Sequence, residues 1–300
     1  MLRKMRTDPR ACGGRSLPSS DLSRRSDPGT VVCRRKPAFS EGGWMDSNLN
    51  EWLNLVFRWI HVLAGVMWIG HLWFFNFVNA QLAKTYDADS RKKVVPELMP
   101  RALYWFRWGA AYTWVTGILL LWVVYWPGLM GSERMSGYAS GGIGLVIAVI
   151  AFVIYDVLWK GMKNETTGGI VSLVLFAVLV FVFHLFMGGR AMFIYAGGTL
   201  GTIMAANVWM RIWPNQRKII AGVKGTGPAV DPSIPALAAL RSKHNTYMSF
   251  PLIFFMVSNH FSTVYGSDYA WVLAIAFLIV GFGIATFCFN KSATPIPAKF

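Results

Sequence analysis

Seven ionisable side chains lie inside long apolar stretches of this 300-residue chain: Arg58, His61, His71, Arg107, Asp156, His184 and His260. Arg190 and His244 stand at the edges of such stretches. A group of this kind is costly in hydrocarbon unless paired or hydrated, so each is a candidate for chemistry. Two neutral imidazoles on different helices can ligate one haem b iron axially inside a bundle. His61 and His260 are the pair that suits this, and His184 is able to replace either. Gly65, Trp68 and Gly70 follow His61 and offer the small and aromatic residues that a porphyrin wall needs. His61 and His71 cannot share a metal, because ten helical residues separate them by about 15 Å and about 80° in azimuth. The competing reading of any one of these histidines is a hydrogen-bonded structural residue.

Arg58 shares a helix face with His61 at i, i+3. It either holds an anionic group there or snorkels to the headgroups. Arg190, between two abutting apolar stretches, either lies at the interface or meets an anion, and Arg107 is a third possible clamp. Asp156 precedes Lys160 by four residues, which reads first as an interfacial ion pair and second as part of a proton path. Segment 244–260, HNTYMSFPLIFFMVSNH, gathers Asn245, Ser249, Met256, Asn259 and His260 within about 100° of one face. Pro251 removes a helix hydrogen bond and frees the Tyr247 carbonyl. Asn245 and Asn259 are therefore candidate ligand contacts, in the manner of broken helices that line intramembrane sites. A packed kink is the alternative. Trp105, Trp108, Trp114, Trp122 and Trp126 read as interface belt and packing.

The elements that must position these groups are transmembrane helices. The chain is 54% hydrophobic and 14% charged, against about 25% charged in soluble domains. A span needs about 20 apolar helical residues, and seven stretches qualify: about 52–80, 103–126, 141–160, 169–188, 191–213, 246–264 and 269–289. The expected fold is an all-α polytopic bundle. The fourth and fifth stretches are separated only by Gly188-Gly189-Arg190, which implies a tight hairpin. Residues 1–44, with ten basic and four acidic residues and no apolar period, read as a disordered extension ahead of a true start at Met45. The three cysteines form no CxxC and no CxxCH, so a zinc ribbon and covalent haem are unsupported. The formal charge of +15 is read by position rather than as a nucleic-acid footprint. Fifteen Lys/Arg near the spans fall on one side and only Arg134 and Arg190 on the other, so the N-terminus is expected outside and the short tail from residue 291 in the cytoplasm.

RWIHVLAGVMWIG (58–70), YWFRWGAAYTWVTG (104–117), GRAMFIYAGG (189–198), ANVWMRIWPNQRK (206–218) and KHNTYMSFPLIFFMVSNHF (243–261) occur in this order. They resemble the membrane domain of the bacterial cytochrome-linked urate hydroxylase, of the urate oxidase N-terminal family, over about residues 50–290. The resemblance implies a bacterial inner-membrane oxidoreductase that converts urate to 5-hydroxyisourate and passes electrons to a cytochrome c domain at its C-terminus. Here the sequence ends at Phe300 without CxxCH, so a separate cytochrome c or a quinone is the expected acceptor. The matching polar and aromatic positions are Arg58, His61, Trp68, Asn207, His244, Asn245, Pro251, Asn259 and His260. A haem b electron carrier or anchor subunit and a small-molecule transporter are the alternative readings.

Overall fold

The computed structural model describes residues 47–126 and 135–294. The expectations for residues 1–44, Met45 and Arg134 lie outside them. All regular structure among the described residues is helical. The long helices are α1 (Ser47–Thr85), α2 (Ala88–Tyr125), α3 (Gly137–Gly161), α4 (Glu165–Phe186), α5 (Gly189–Lys224), α6 (Ser233–Val257) and α7 (Ala270–Ala293). Six are long and apolar enough to cross a bilayer, and α6 is the exception. Short connections make successive helices antiparallel, and several are set by side-chain caps. Asp87 accepts from Ser90 N–H before α2, Ser136 from Ala139 N–H before α3, and Asn164 from Thr166 and Thr167 N–H before α4. Gly225, at φ 77°, closes α5 in the left-handed conformation that glycine adopts freely.

The helix expected at 246–264 in fact begins at Ser233 and ends at Val257. Its middle carries Arg241, Asn245, Thr246 and Ser249, all buried. These residues face α5, α1 and α3 rather than lipid, so neighbouring helices relieve the cost of putting them in a membrane protein. Pro251 does not break α6. The helix runs through it and unwinds only at Ser258–Phe261, where Phe261 is extended. The α4–α5 hairpin is as tight as the sequence implies, with Phe186 and Gly189 as the flanking helix ends.

α5 is the central helix, with twelve of the nineteen residues in Gly189–Asn207 buried. α1 and α2 cross closely at Gly109, where an added Cβ would lie 3.1 Å from the Trp68 amide nitrogen. α6 packs against α5, α7 and α1. Trp73 Nε1 donates to Ser249 Oγ and Asn76 Nδ2 to Ser242 Oγ, both at 2.9 Å. Three helices contain a π-helical turn: Phe74–Asn79 in α1, Leu121–Tyr125 in α2 and Val208–Ile212 in α5. Such turns re-aim the side chains around them and occur often at functional sites. Each one here holds a polar residue bonded to another helix: Asn76 to Ser242, Tyr125 to Asn259, and Arg211 to Asp156.

Candidate functional site

Asp156, in the last turns of α3, is buried at 6% exposure. Arg211 of α5 grips it with two parallel hydrogen bonds, Nε to Oδ1 at 2.9 Å and Nη2 to Oδ2 at 2.5 Å. Arg241 of α6 adds Nη2 to Oδ1 at 3.1 Å, and Lys160 reaches Oδ2 at 2.9 Å. The expected Asp156–Lys160 pair is therefore present, but it is the exposed margin of a larger buried cluster. One carboxylate meets three cations, which leaves an excess of two positive charges. Arg241 is 1% exposed, and its Nε and Nη1 have no hydrogen-bond partner among the described residues. A buried donor without an acceptor carries a desolvation penalty.

The cluster continues into a polar chain. Arg241 lies 4.9 Å from the Tyr155 ring centre. Tyr155 Oη is 2.8 Å from His244 Nδ1 and accepts from Asn207 Nδ2 at 3.0 Å. Asn245 Nδ2 donates to the Met204 carbonyl, which makes its Oδ1 an acceptor for Asn207 Nδ2 at 2.9 Å. Both Asn207 amide hydrogens are thereby used, and its buried Oδ1 has no partner among the described residues. Because Asn207 donates to Tyr155, the arrangement that satisfies every group sends the Tyr155 proton to His244 Nδ1. His244 then carries its own proton on Nε2, with its ring 4.0 Å from that of Trp159.

A family model, urate oxidase N-terminal, matches residues 47–94 and 86–298, nearly all of the described chain. The chain belongs to the urate oxidase N-terminal family. It is a multi-pass membrane protein of a urate-related family, with apolar helices suited to a lipid bilayer. No curated protein and no solved structure matches it.

Within this family member the residues singled out from sequence fall in separate places. His61 Nδ1 lies 3.1 Å from Thr116 Oγ1 of α2, and Thr116 gives its only proton to the Tyr112 carbonyl at 2.6 Å. Nδ1 must therefore be the donor, which leaves a lone pair on Nε2. His260 is exposed in the turn after α6, and His184 lies between Phe181 and Trp271. α1 and α6 are neighbours, but the hydrogen bonds joining them are at Trp73 and Asn76, and the His61 ring turns to α2. His71 Nδ1 donates to the Met67 carbonyl. Arg58 donates from Nε and Nη2 to Asn54 Oδ1. Arg190 lies over Tyr125 and Tyr265, and Tyr125 donates to Asn259 Oδ1 at 3.1 Å. Arg107 is ringed by Tyr104, Trp108, Trp209 and Trp213, the last at 4.1 Å. Of the residues nominated from sequence as ligand contacts, only Asn245 joins the buried cluster. Arg211 and Arg241 are among the fifteen one-sided Lys/Arg of the sequence, and their spacing from Asp156 carries no signal.

Proposed function

We propose that the protein is an oxidoreductase that takes urate, or a purine like it, to 5-hydroxyisourate, with the anion held at the Asp156–Arg211–Arg241 cluster. The observation that carries this is the buried surplus of donors and positive charge on Arg241, joined through Tyr155 to Asn207, whose Oδ1 has no partner among the described residues. Urate is an anion at neutral pH with carbonyl acceptors and ring N–H donors, so it complements both. The family supplies the substrate class. Urate and one water yield 5-hydroxyisourate, two electrons and two protons, so an acceptor is required, either a cytochrome c or a quinone. The reading places the anion at Arg241 rather than at Arg58, Arg190 or Arg107, since among the described residues Arg241 has two buried nitrogens without a partner, Arg190 and Arg107 one each, and Arg58 is bonded to Asn54. Arg211 and Asp156 hold Arg241 in place, and Asn207 orients the purine edge.

Purified protein in detergent, given urate and either cytochrome c or a soluble quinone, should consume urate and reduce the acceptor. Arg241→Lys keeps the charge but loses the fork, and should raise KM by about tenfold or more, the worth of one charged hydrogen bond. Absence of urate consumption with both acceptors would overturn the reading.

One observation favours a second reading, a haem b electron carrier. The Nδ1–H of His61 is committed to Thr116, which presents Nε2 as an axial ligand does, and Gly117 leaves room for the ring 3.2 Å from where a Cβ would stand. A haem there would relay single electrons to the acceptor. A low-spin haem spectrum that is lost in His61→Ala and retained in His71→Ala would support it; wild-type protein free of haem would remove it.

A further inference from the structure

We propose that a crevice between α3, α4, α6 and α7 is the binding site of a lipophilic quinone, whose carbonyl accepts a hydrogen bond from His244 Nε2. The inference rests on the oxidoreductase reading for the identity of the occupant, and it names the acceptor which that reading left open. The crevice holds about 750 Å³ and is lined by apolar side chains such as Ala151, Phe176 and Ile203. Its rims, Ile150 and Ile154 on α3 with Ile170 and Val178 on α4, are each at least half exposed on the outer apolar surface. In a bilayer these rims face hydrocarbon, so an occupant enters sideways from the lipid and must be largely apolar.

Polar groups gather at one end of the crevice, and they set the chemistry of the head. Lys243 and Glu165 form an ion pair of 2.8 Å there. The lysine is thus already neutralised, and a phospholipid phosphate finds no free cation among the lining residues. His244 also lines this end. Its Nδ1 is engaged by Tyr155, so Nε2–H is the atom left to meet an occupant. A neutral ring with carbonyl oxygens and an apolar tail satisfies every one of these constraints, and a phospholipid does not. The position also serves the reaction, because Tyr155 belongs at once to the crevice wall and to the polar chain that ends at Asn207 and Arg241.

The electron balance closes. Urate and water give 5-hydroxyisourate, two protons and two electrons; the quinone takes two electrons and two protons and leaves as the quinol. One proton reaches the quinone oxygen from His244 Nε2, the Tyr155 hydroxyl replaces it at Nδ1, and one of the two protons released from urate and water returns to the Tyr155 oxygen while the other leaves to solvent. The quinone's second proton comes from solvent.

Equilibrium binding of decylubiquinone to the full chain in phosphatidylcholine nanodiscs tests the site without urate. The expected result is one saturable site per chain above linear partition into lipid. Ala151→Trp, which fills the crevice from its wall, should abolish the saturable component, and His244→Phe should weaken it about tenfold, the loss of one hydrogen bond. Only linear partition in the wild type, with phospholipid retained at one per chain, overturns the inference. Saturable binding that neither variant changes also overturns it. Saturable binding in a protein that consumes no urate upholds the site and removes the urate reading. Urate consumption with cytochrome c and no saturable quinone binding does the reverse.

Discussion

Asp156 is the residue on which the buried charges depend, because it is the counter-charge that the structure offers to Arg241. Asp156→Asn removes that charge from a guanidinium at 1% exposure. Breaking a buried pair by removing one partner costs about 3–5 kcal/mol, so the variant should unfold well below the wild type in a thermal melt in detergent. Adding Arg241→Met to it should recover part of the loss, since it removes the one fully buried guanidinium and leaves only the part-exposed Arg211 and the exposed Lys160 without the carboxylate. Equal instability of the single and double variants would show that Arg241 is compensated elsewhere. The sequence disclosed only part of this cluster. Asp156 stood out as a carboxylate inside an apolar stretch, and Asn207 and Asn245 lay within the motifs that carry the family resemblance. Arg211 lay in the motif 206–218 and at the end of the stretch 191–213, and Arg241 in neither, but nothing marked either one as a partner of Asp156. A basic residue beyond a hydropathic stretch looks the same whether it meets headgroups or a buried carboxylate, and only the folded position of α3 separates the two.

At the scale of elements, α7 reaches α6 through a glycine. An added Cβ at Gly281 would lie 2.8 Å from the Pro251 nitrogen and 2.7 Å from its Cδ. Backbone and a rigid ring cannot yield there, so Gly281→Ala should lose about 1–3 kcal/mol, as overpacked sites do. Gly283, two residues on, has nothing within 4 Å of its Cβ position, and Gly283→Ala should leave the melting temperature unchanged. A loss shared by both would point to α7 itself rather than to the contact. The start of α2 depends on pH instead. Hydrogen bonds from Ser90 hold the Asp87 carboxyl below its ordinary 3.8. A depressed folded pKa means that the capping contribution is present above that value and is lost as pH falls through the lower folded one. Amide exchange at Ser90 should therefore quicken on acidification below about pH 4. The six apolar spans were legible because about 20 consecutive apolar residues in a helix have little other use. The start of α6 differs from the expected 246 because the helix continues back to Ser233 through residues such as Arg241 and Asn245, which are polar yet buried against protein. Hydropathy reports how a segment meets lipid and is silent about how it meets other helices. The π-helical turns carry no residue pattern at all, although they aim Asn76, Tyr125 and Arg211.

On the scale of the whole molecule, the open question with the largest consequence is which way the bundle faces. Fifteen Lys/Arg near the spans gather on one side by sequence, and the fold removes Lys160, Arg211 and Arg241 from that number because Asp156 engages them. Twelve remain against Arg134 and Arg190, so the bias survives the correction. By the rule that basic loops stay in the cytoplasm, we predict the α1–α2, α3–α4 and α5–α6 connections inside, with the start of α1 outside. The Asp156 cluster lies toward the same ends of α3 and α5, so on this prediction its exposed margin at Lys160 would face the cytoplasm, and the anion of the proposed reaction would enter from there. A fluorescent reporter inserted at Gly227, in the α5–α6 connection, should fold and fluoresce. An alkaline phosphatase reporter inserted after Gly266, in the α6–α7 connection, should be active. The opposite pattern would invert the bundle, and with it the compartment from which the substrate reaches Arg241; the cluster itself would stand, but an acceptor in the periplasm would then share a side with the substrate.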